Sequence, residues 1–324
     1  MRVNIRVENY SVFKYVGCAT VAMTLYEGLL KTPGVEVELN SKKHDQEITH
    51  CHTLGPGAVW SMLRAKHVKI ITAHSTPSLN INNLAGASLI NKIYRPMYSR
   101  YDHIITITRD NEREIKEMLP DMPTTRIPSS VNMDKFKPDA EKRRIFRETF
   151  GFTGDDKVIL QVAQQTPRKG IYDFLDLADA HPEYKFMWVG GFPYGPISAN
   201  KKAVEERKAK AGKNVIFPGF VPDITGVYAG ADVFLFPSYG DLMSISIMEA
   251  LASGLPVISR DLSEYRELFP GIAGFFTKSE EIAPLLADDA MLRNAASHAR
   301  ASIEQYNMYK VAKMHADLYA ELLA

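Results

Sequence analysis

The feature that most constrains the fold is a regular alternation of short apolar segments with helical patterns along the chain. In the C-terminal half, the predicted strands are apolar throughout rather than at every second residue, and they cover 158–163, 186–191, 214–220, 233–237, 256–259 and 273–277. The N-terminal half repeats the pattern at 3–8, 35–40, 48–53, 69–74, 103–108 and 124–130, with helices near 17–31, 55–66, 82–101 and 109–119. Strands that are apolar on both faces are typical of parallel sheets covered by helices on both sides. The sequence therefore predicts two doubly wound α/β domains.

A change of composition marks the predicted connection between the domains. Proline and a run of charges enter at VNMDKFKPDAEKRR (131–144), a composition typical of a connecting segment. We therefore place the first domain at 1–138 and the second at 139–305. Residues 306–324 form a predicted amphipathic helix, which needs an apolar surface to lie on. Because ligands of open α/β sheets bind at the carboxyl ends of the strands, we expect the two domains to face each other across a ligand-binding crevice.

The charge balance and the cysteine content restrict the partners and the compartment. The 39 basic and 38 acidic residues among 324 leave a net charge of +1, so no overall positive field selects nucleic acid as a partner. No uninterrupted apolar run approaches the roughly 18 residues of a membrane span, and the N-terminus MRVNIRVENY has no signal-peptide core. With only two cysteines, a disulfide framework is not expected. The sequence favours a cytoplasmic protein, and peripheral attachment to the inner face of the cell membrane stays open.

Two acidic residues in PSYGDLMSISIMEALASGLPVIS (237–259) indicate a polar ligand. Asp241 follows an apolar strand, and Glu249 lies inside the apolar helix that comes next. A helix that begins near 242–244 directs its first free N–H groups out of the carboxyl end of the strand, where Ser244 adds a hydroxyl, and such a helix start binds phosphate. Glu249 would lie about 8 Å further along the helix, where it could accept hydrogen bonds from a ribose diol. The alternative is that Asp241 only caps the helix and Glu249 lies on a solvated face.

A basic turn supports the first interpretation. In QVAQQTPRKGIYDF (161–174), a strand ends and a polar turn carries Arg168 and Lys169 ahead of a glycine and a helix. Two cations at the carboxyl end of a strand, beside an anion site, can neutralise a diphosphate leaving group. An ordinary exposed turn is the alternative for these residues on their own.

Together, these two stretches resemble the family 4 retaining glycosyltransferases of GT-B fold. That family has an acid-x7-acid motif that runs into Glu-Ala-x-x-x-Gly-x-Pro-Val, which reads here as Asp241 to Glu249 followed by ALASGLPV. The resemblance extends over VGG (189–191), FPGFV (217–221) and YAGADVFLFPS (228–238). It implies two facing Rossmann-like domains with the catalytic cleft between them, and a last helix that crosses back to the first domain.

The resemblance also implies roles for individual residues. Lys169 would contact the donor diphosphate, Asp241 the hydroxyls of the transferred sugar and Glu249 the ribose. The chain departs from the family where Gln164 replaces an arginine, where a single Gly17 represents the paired glycines after the first strand, and where the first acid is Asp rather than Glu. The predicted donor-binding residues are Gly17, Gln164, Arg168, Lys169, Gly190, Asp241, Ser244 and Glu249. The co-substrate is an NDP-sugar, a UDP-hexose, and neither a cofactor nor a metal is expected.

Histidines follow two predicted strands of the N-terminal domain. His74 ends one strand where the family tends to place a histidine that faces the reaction centre, so that His74, Asp241 and Lys169 are the predicted catalytic residues. A packed histidine is the alternative. In THCHT, His50 and His52 share one strand face and the cysteine between them takes the other, so a four-ligand zinc site is not expected. We interpret both histidines as lining the cleft, with His52 on the acceptor side.

The stretch LAGASLINKIYRPMYSRYD (84–102) combines cations with aromatic and aliphatic residues. On a helix, Lys92, Arg95 and Arg100 would lie beside apolar side chains, an arrangement that suits an anionic membrane surface. A core-packing helix whose cations extend to solvent is the alternative.

The whole pattern resembles bacterial-type glycolipid synthases most. We therefore predict a retaining hexosyltransferase that moves a hexose from UDP-glucose or UDP-galactose to a membrane lipid such as diacylglycerol or glycosyl-diacylglycerol. Three alternatives stay open: a soluble or cell-envelope glycan as the acceptor, a non-hydrolysing sugar-nucleotide epimerase, and a non-catalytic sugar-nucleotide-binding subunit. A dehydrogenase is disfavoured because no G-x-G-x-x-G follows the first strand.

Overall fold

The chain divides into two units, each built on one six-stranded parallel sheet. The first unit comprises Met1–Val131 and Gln305–Ala324, and the second comprises Asn132–Glu304. The computed structural model describes residues 1–9, 17–77, 87–192, 195 and 200–324, with the backbone alone for 87–90. Each of the twelve predicted strands is present in these units, so the predicted α/β class is confirmed.

The first unit alternates strands and helices along the chain. Its strands are β1 (Arg2–Arg6), β2 (Glu36–Leu39), β3 (Ile48–Cys51), β4 (Val68–Thr72), β5 (His103–Thr106) and β6 (Thr124–Arg126). Its described helices up to the junction are α1 (Gly17–Leu29), α2 (Pro56–Arg64), α3 (Ala87–Tyr98) and α4 (Arg109–Met118). The start of the helix predicted at 82–101 lies outside the described residues.

The second unit repeats the alternation, and the chain then ends in a long helix. The strands of this unit are β7 (Val158–Val162), β8 (Lys185–Val189), β9 (Val215–Gly219), β10 (Val233–Phe236), β11 (Val257–Arg260) and β12 (Gly274–Phe276). Its described helices are α5 (Ala140–Phe150), α6 (Ile171–Ala180), α7 (Lys201–Lys208), α8 (Ile224–Gly230), α9 (Ile245–Ala252), α10 (Tyr265–Leu268), α11 (Ile282–Ala287) and α12 (Asp289–Ser302). The C-terminal helix α13 (Met308–Leu323) belongs to the first unit.

Sheet order places a switch point in each unit. The strands of the first sheet run β2-β1-β3-β4-β5-β6, and those of the second run β12-β11-β10-β7-β8-β9. The order therefore reverses between β1 and β3 in the first unit and between β10 and β7 in the second. Open α/β sheets bind ligands outside the carboxyl ends of the strands at such a reversal. The loops after these four strands are the expected ligand-binding segments.

Helix α13 covers one face of the first sheet together with α1. Val311, Ala312 and Tyr319 of α13 share an apolar core with residues of α1 and the sheet. The two helices approach closely at Gly28, where a Cβ atom would lie 2.8 Å from the Cβ of Ala312. Helices α2, α3 and α4 contribute to a second core on the other face of the sheet. The amphipathic C-terminal helix thus has the apolar surface that its sequence requires.

The second sheet is also covered on both faces. On one face, α6 and α11 pack on β7, β8, β10, β11 and β12 through a cluster that includes Phe174, Trp188 and Leu235. On the other face, Tyr228 of α8 contacts the rings of Phe136 and Phe234. Because β10 alternates its side chains between the faces, Leu235 and Phe234 enter different cores. Among the described residues, no helix is long and apolar enough to cross a membrane.

Candidate functional site

The turn after β7 carries the two predicted cations. Pro167–Lys169 form one turn of 3₁₀ helix, and Gly170 follows with a φ of +77°, a left-handed conformation that favours glycine. A Cβ atom on Gly170 would also collide with the carbonyl oxygen of Pro237, at the end of β10. The backbone N–H of Tyr239 donates to the carbonyl oxygen of Arg168 (2.8 Å). The basic turn is therefore held against the loop after β10, across the switch point.

Lys169 and Asp241 form an ion pair between these two loops. The Lys169 Nζ lies 2.6 Å from Oδ2 of Asp241, and the side chains are 13% and 25% exposed. Burial raises the pKa of Asp241, but the charges of Lys169 and Arg168 outweigh burial and lower it below its usual value. Burial lowers the pKa of Lys169 despite the opposing effect of Asp241. The structure thus brings together two of the predicted catalytic residues.

Helix α9 begins directly after this ion pair. Its first residue is Ile245, slightly later than predicted, and Ser244 is the N-cap residue. The Ser244 hydroxyl lies 3.0 Å from that of Ser246 and makes no capping bond within the described structure. Asp241 accepts a hydrogen bond from the backbone N–H of Leu242 (3.1 Å), ahead of the helix, so the interpretation of Asp241 as the helix cap is wrong. The first N–H groups of α9 are placed to bind an anion.

Glu249 is a buried acid in the middle of α9. Its side chain accepts a hydrogen bond from the hydroxyl of Tyr228 (2.7 Å), and the residue is 8% exposed. The alternative of a solvated face is therefore wrong. Burial raises the pKa of Glu249 to about 7, against the opposing effects of the Tyr228 hydrogen bond and the charge of Lys135. Sequence reasoning did not identify Tyr228 as the partner.

Gly190 and the glutamines after β7 lie beside each other at the carboxyl edge of the sheet. Gly190 has a φ of +119°, and a Cβ atom there would collide with the carbonyl oxygen of Ala163. Gln165, rather than the predicted Gln164, links this turn to Gly190. Its Nε2 donates to the carbonyl oxygen of Gly190 (2.8 Å), and its side-chain oxygen accepts from Lys208 (2.7 Å). Gln164 is partly buried in the same turn.

A buried arginine braces the loop that carries Asp241, and sequence reasoning missed it. Arg260, at the end of β11, donates to the carbonyl oxygen of Pro237 (3.1 Å) and pairs with Asp173 of α6 (3.1 Å). Its guanidinium group lies 3.9 Å from the ring centroid of Tyr239, whose hydroxyl donates to Asp173 (2.9 Å). These contacts fix the loop after β10 from two sides.

In the first unit, the buried histidines His50, His52 and His315, the partly buried His74 and a tyrosine form one cluster on the face that α13 covers. His50 bonds through Nδ1 to the hydroxyl of Tyr319 (2.6 Å), and its ring centroid lies 4.4 Å from that of His52 and 5.7 Å from that of His315. His52 bonds in turn to His74, with 2.9 Å between Nδ1 and Nε2. The structure thus brings together the predicted site histidines His52 and His74. The prediction that His50 and His52 line the cleft is wrong, because these side chains are 0% and 2% exposed.

Gly17 and the cations of α3 lie elsewhere in the first unit. Gly17 is the first residue of α1, and a Cβ atom there would meet no described atom within 4 Å. The side chains of Lys92, Arg95 and Arg100 are exposed on and after α3, while Tyr94 and Tyr98 enter the core. The structure therefore agrees with the alternative of a core-packing helix whose cations extend to solvent, and contact of these cations with a membrane stays a prediction.

The described residues contain no group of three or more His, Cys, Asp and Glu side chains that is arranged to hold a metal ion. The histidine cluster is linked instead by bonds between rings and hydroxyl groups.

Comparison with known proteins finds a family match for the second unit and relatives for most of the chain. Residues 156–292 match the family described as "Glycosyl transferases group 1". The chain is 28% identical to alpha-galactosylglucosyldiacylglycerol synthase of Streptococcus pneumoniae over 86% of the chain and 79% of that protein. It is 31% identical to the processive diacylglycerol alpha-glucosyltransferase of Acholeplasma laidlawii over 62% of each chain, so it spans about three fifths of that relative. These matches confirm the predicted resemblance to glycosyltransferases.

Solved structures show the same fold. HepE of Anabaena, in complex with UDP and glucose, matches with a TM-score of 0.79 at 18% identity over 99% of both chains. WaaG, a glycosyltransferase involved in lipopolysaccharide biosynthesis, matches with a TM-score of 0.73 at 17% identity over 98% of this chain and 99% of that one. The predicted GT-B fold is confirmed.

Proposed function

We propose that this chain, whose residues 156–292 form a group 1 glycosyltransferase domain, transfers a hexose from UDP-glucose or UDP-galactose to a membrane lipid. The acceptor class is diacylglycerol or glycosyl-diacylglycerol, and the anomeric configuration is retained, as the family resemblance implies. The observation that carries the donor part of the proposal is the ion pair of Lys169 and Asp241 at the head of α9. The names of the two relatives with lipid substrates support the acceptor part.

The donor diphosphate binds between the basic turn and the start of α9. Lys169 and Arg168 supply positive charge, and the backbone N–H groups that follow Ser244 supply hydrogen bonds. Both kinds of group stabilise the negative charge that develops on the leaving diphosphate. Asp241 accepts hydrogen bonds from hydroxyls of the hexose, and the buried carboxylate of Glu249 accepts them from the ribose.

The acids therefore bind substrate and do not act as a glycosidase pair. Glycosidase carboxylates flank the scissile bond from opposite sides. Asp241 is already engaged by a cation, and Glu249 lies eight residues further along the same segment. His74 of the first unit is proposed to donate a hydrogen bond to the hexose.

The lipid acceptor requires contact with a membrane, and α3 offers a suitable surface. Lys92, Arg95 and Arg100 are exposed there, and Ile93 beside them is 52% exposed. Each Lys or Arg near an anionic leaflet contributes about 1 kcal/mol to membrane attachment. We propose peripheral attachment at the inner face of the cell membrane through this surface.

Product analysis tests the transfer. Radiolabelled UDP-glucose or UDP-galactose is offered with liposomes that contain diacylglycerol or glycosyl-diacylglycerol, alongside soluble sugars. We expect label in the lipid phase as an α-linked glycoside, lost in Asp241→Ala and kept in Asp176→Ala, whose side chain is 70% exposed. Label in soluble sugars alone would remove the lipid acceptor, and epimerised donor without transfer would favour the epimerase. Tight UDP binding with no transfer from either donor would favour the non-catalytic subunit.

Liposome sedimentation tests the membrane surface separately. Replacing Lys92, Arg95 and Arg100 with alanine should reduce binding to liposomes rich in phosphatidylglycerol by at least about tenfold at low salt. The matched control is Lys202→Ala, since this side chain is 92% exposed in the second unit. Equal binding of the triple variant and the wild type would exclude this surface.

A further inference from the structure

A hydrogen bond between two imidazole rings joins the ends of neighbouring strands in the first unit. His52 follows β3 and His74 follows β4, and the bond connects Nδ1 of His52 with Nε2 of His74 (2.9 Å). Their ring centroids lie 5.2 Å apart. A bond between two neutral rings needs one proton in the contact, so one ring donates and the other accepts.

The surroundings keep both rings neutral and fixed. Burial lowers the pKa of His52 well below its usual value and that of His74 to about 3, and the neighbouring histidines His50 and His315 act in the same direction. The His50 ring packs on His52, and bonds at both of its nitrogens hold it in place, to Tyr319 and to Thr72. Only two proton arrangements therefore remain for the pair of His52 and His74.

The second nitrogen of His52 decides between these arrangements. His52 is 2% exposed, and its Nε2 atom has no hydrogen-bond partner among the residues that the structure describes. If His74 donated, His52 would carry its proton on Nε2 and bury an N–H group without an acceptor. If His52 donates from Nδ1, its Nε2 atom is a bare acceptor instead. Orphaned buried N–H groups are rarer than acceptors that lack a partner, so the second arrangement is favoured.

We propose that His52 is a positioning residue that holds His74 in the tautomer with its proton on Nδ1. Because Nε2 of His74 then accepts from His52, the Nδ1–H group is what His74 offers to a substrate. This proposal rests on the proposed function. The tautomer makes His74 a hydrogen-bond donor to a hexose hydroxyl, and His74 takes no proton at Nδ1 during transfer. His52 thereby has a role that differs from the predicted contact with the acceptor.

Nitrogen NMR of histidine tests the tautomer without reference to activity. Long-range proton–nitrogen spectra of protein with ¹⁵N-labelled histidine distinguish a protonated ring nitrogen from a bare one, and His74→Ala assigns the signals. We expect His74 protonated at Nδ1 in the wild type. His52→Leu should release it into a mixture of tautomers, and His52→Asn should restore Nδ1–H, because an asparagine amide can donate from the position of Nδ1.

Three results would overturn the proposal. They are a proton on Nε2 of His74 in the wild type, an unchanged tautomer in His52→Leu, and a failure of His52→Asn to restore Nδ1–H. Should His52→Leu not fold, His52→Gln replaces it, because its amide reaches the position of Nε2 and not that of Nδ1. His52→Gln should then also lose the single tautomer.

Kinetics of lipid glycosylation separate this proposal from the proposed function. We expect His52→Leu to lower kcat by about tenfold or more with little change in KM for the donor, and His52→Asn to recover most of the loss. Unchanged kcat in His52→Leu, with the tautomer released as expected, would refute the catalytic consequence while the positioning by His52 stands. Absence of any transfer by the wild type would refute the proposed function. The spectra alone would then test whether His52 fixes the tautomer of His74.

Discussion

Removal of the Tyr228 hydroxyl should shift the pH dependence of the ribose binding that we propose for Glu249. In Tyr228→Phe, Glu249 loses the hydrogen bond that stabilises its ionised form (2.7 Å). A hydrogen bond to a charged group contributes about 1.5–3 kcal/mol, and one pKa unit corresponds to about 1.4 kcal/mol. The pKa of Glu249, about 7 in the wild type, should therefore rise by about one unit or more.

The assay compares the affinities of UDP and 2′-deoxy-UDP by calorimetry between pH 5.5 and 9. Both ligands carry the same diphosphate, so their affinity ratio cancels the ionisation of phosphate and reports on the 2′-hydroxyl. Because the ionised carboxylate of Glu249 is the stronger acceptor, the ratio should rise through about pH 7 in the wild type. At pH 7 the ratio should fall roughly fivefold in Tyr228→Phe and recover near pH 9, since the ionised fraction drops from about a half to about a tenth.

Two outcomes would refute this reasoning. A ratio that does not vary with pH in the wild type would show that Glu249 does not bind the ribose. An unmoved midpoint in Tyr228→Phe would show that the hydroxyl does not control the ionisation of Glu249. Tyr184→Phe serves as the control, because the Tyr184 ring lies over the ammonium of Lys157 in the same unit, and phenylalanine keeps that contact.

Three further perturbations test the site and its support. Lys169→Met should weaken UDP binding by about tenfold or more in calorimetry. Asp241→Asn should bind UDP at least as tightly as the wild type, because Lys169 is then free to contact phosphate, but it should lose transfer. Equal losses of UDP binding in the two variants would contradict this. Gly170→Ala should lower Tm more than Gly34→Ala. Both glycines have a φ near +78°, but only at Gly170 would a Cβ atom collide with Pro237. Equal decreases in Tm would show that this collision does not destabilise the protein. Acid should loosen the first unit, which buries His50, His52 and His315 and partly buries His74. Their pKa values are lowered on folding, so the stability that is present above pH 6.5 falls below that pH, by about 1.4 kcal/mol per histidine and pH unit. Hydrogen-exchange protection factors of α13, which are corrected for the intrinsic pH dependence of exchange, would refute this if they did not change between pH 7 and 5.

The sequence predicted the fold almost completely because a buried parallel sheet leaves a strong local pattern. Continuous apolar runs such as that of β10 identify strands without knowledge of their neighbours. Asp241 and the cations after β7 were found for a related reason. Each of these residues follows the end of a strand by a few positions, and the carboxyl ends of parallel strands meet at one edge of the sheet.

Residues that act through a partner on another element could not be found in this way. Tyr228 lies 21 residues before Glu249 and occupies a position that also suits an ordinary core residue. Arg260 reads as the end of a strand, and its role depends on Asp173, 87 residues earlier. In each case the chemistry follows from a tertiary contact, whereas periodicity shows only that a residue faces the core.

The two units therefore use the same topological position with different chemistry. In the second unit, the loops after β7 and β10 flank the reversal of strand order and carry Lys169 and Asp241. In the first unit, the reversal lies between β1 and β3, and His52 follows β3 directly. The cation of Lys169 is suited to a diphosphate, which is negatively charged, whereas a neutral imidazole ring that is fixed in one tautomer is suited to a sugar hydroxyl. The burial that keeps these histidines neutral is thus a requirement of the chemistry that we propose for His74, and a protonated histidine cluster would be incompatible with it.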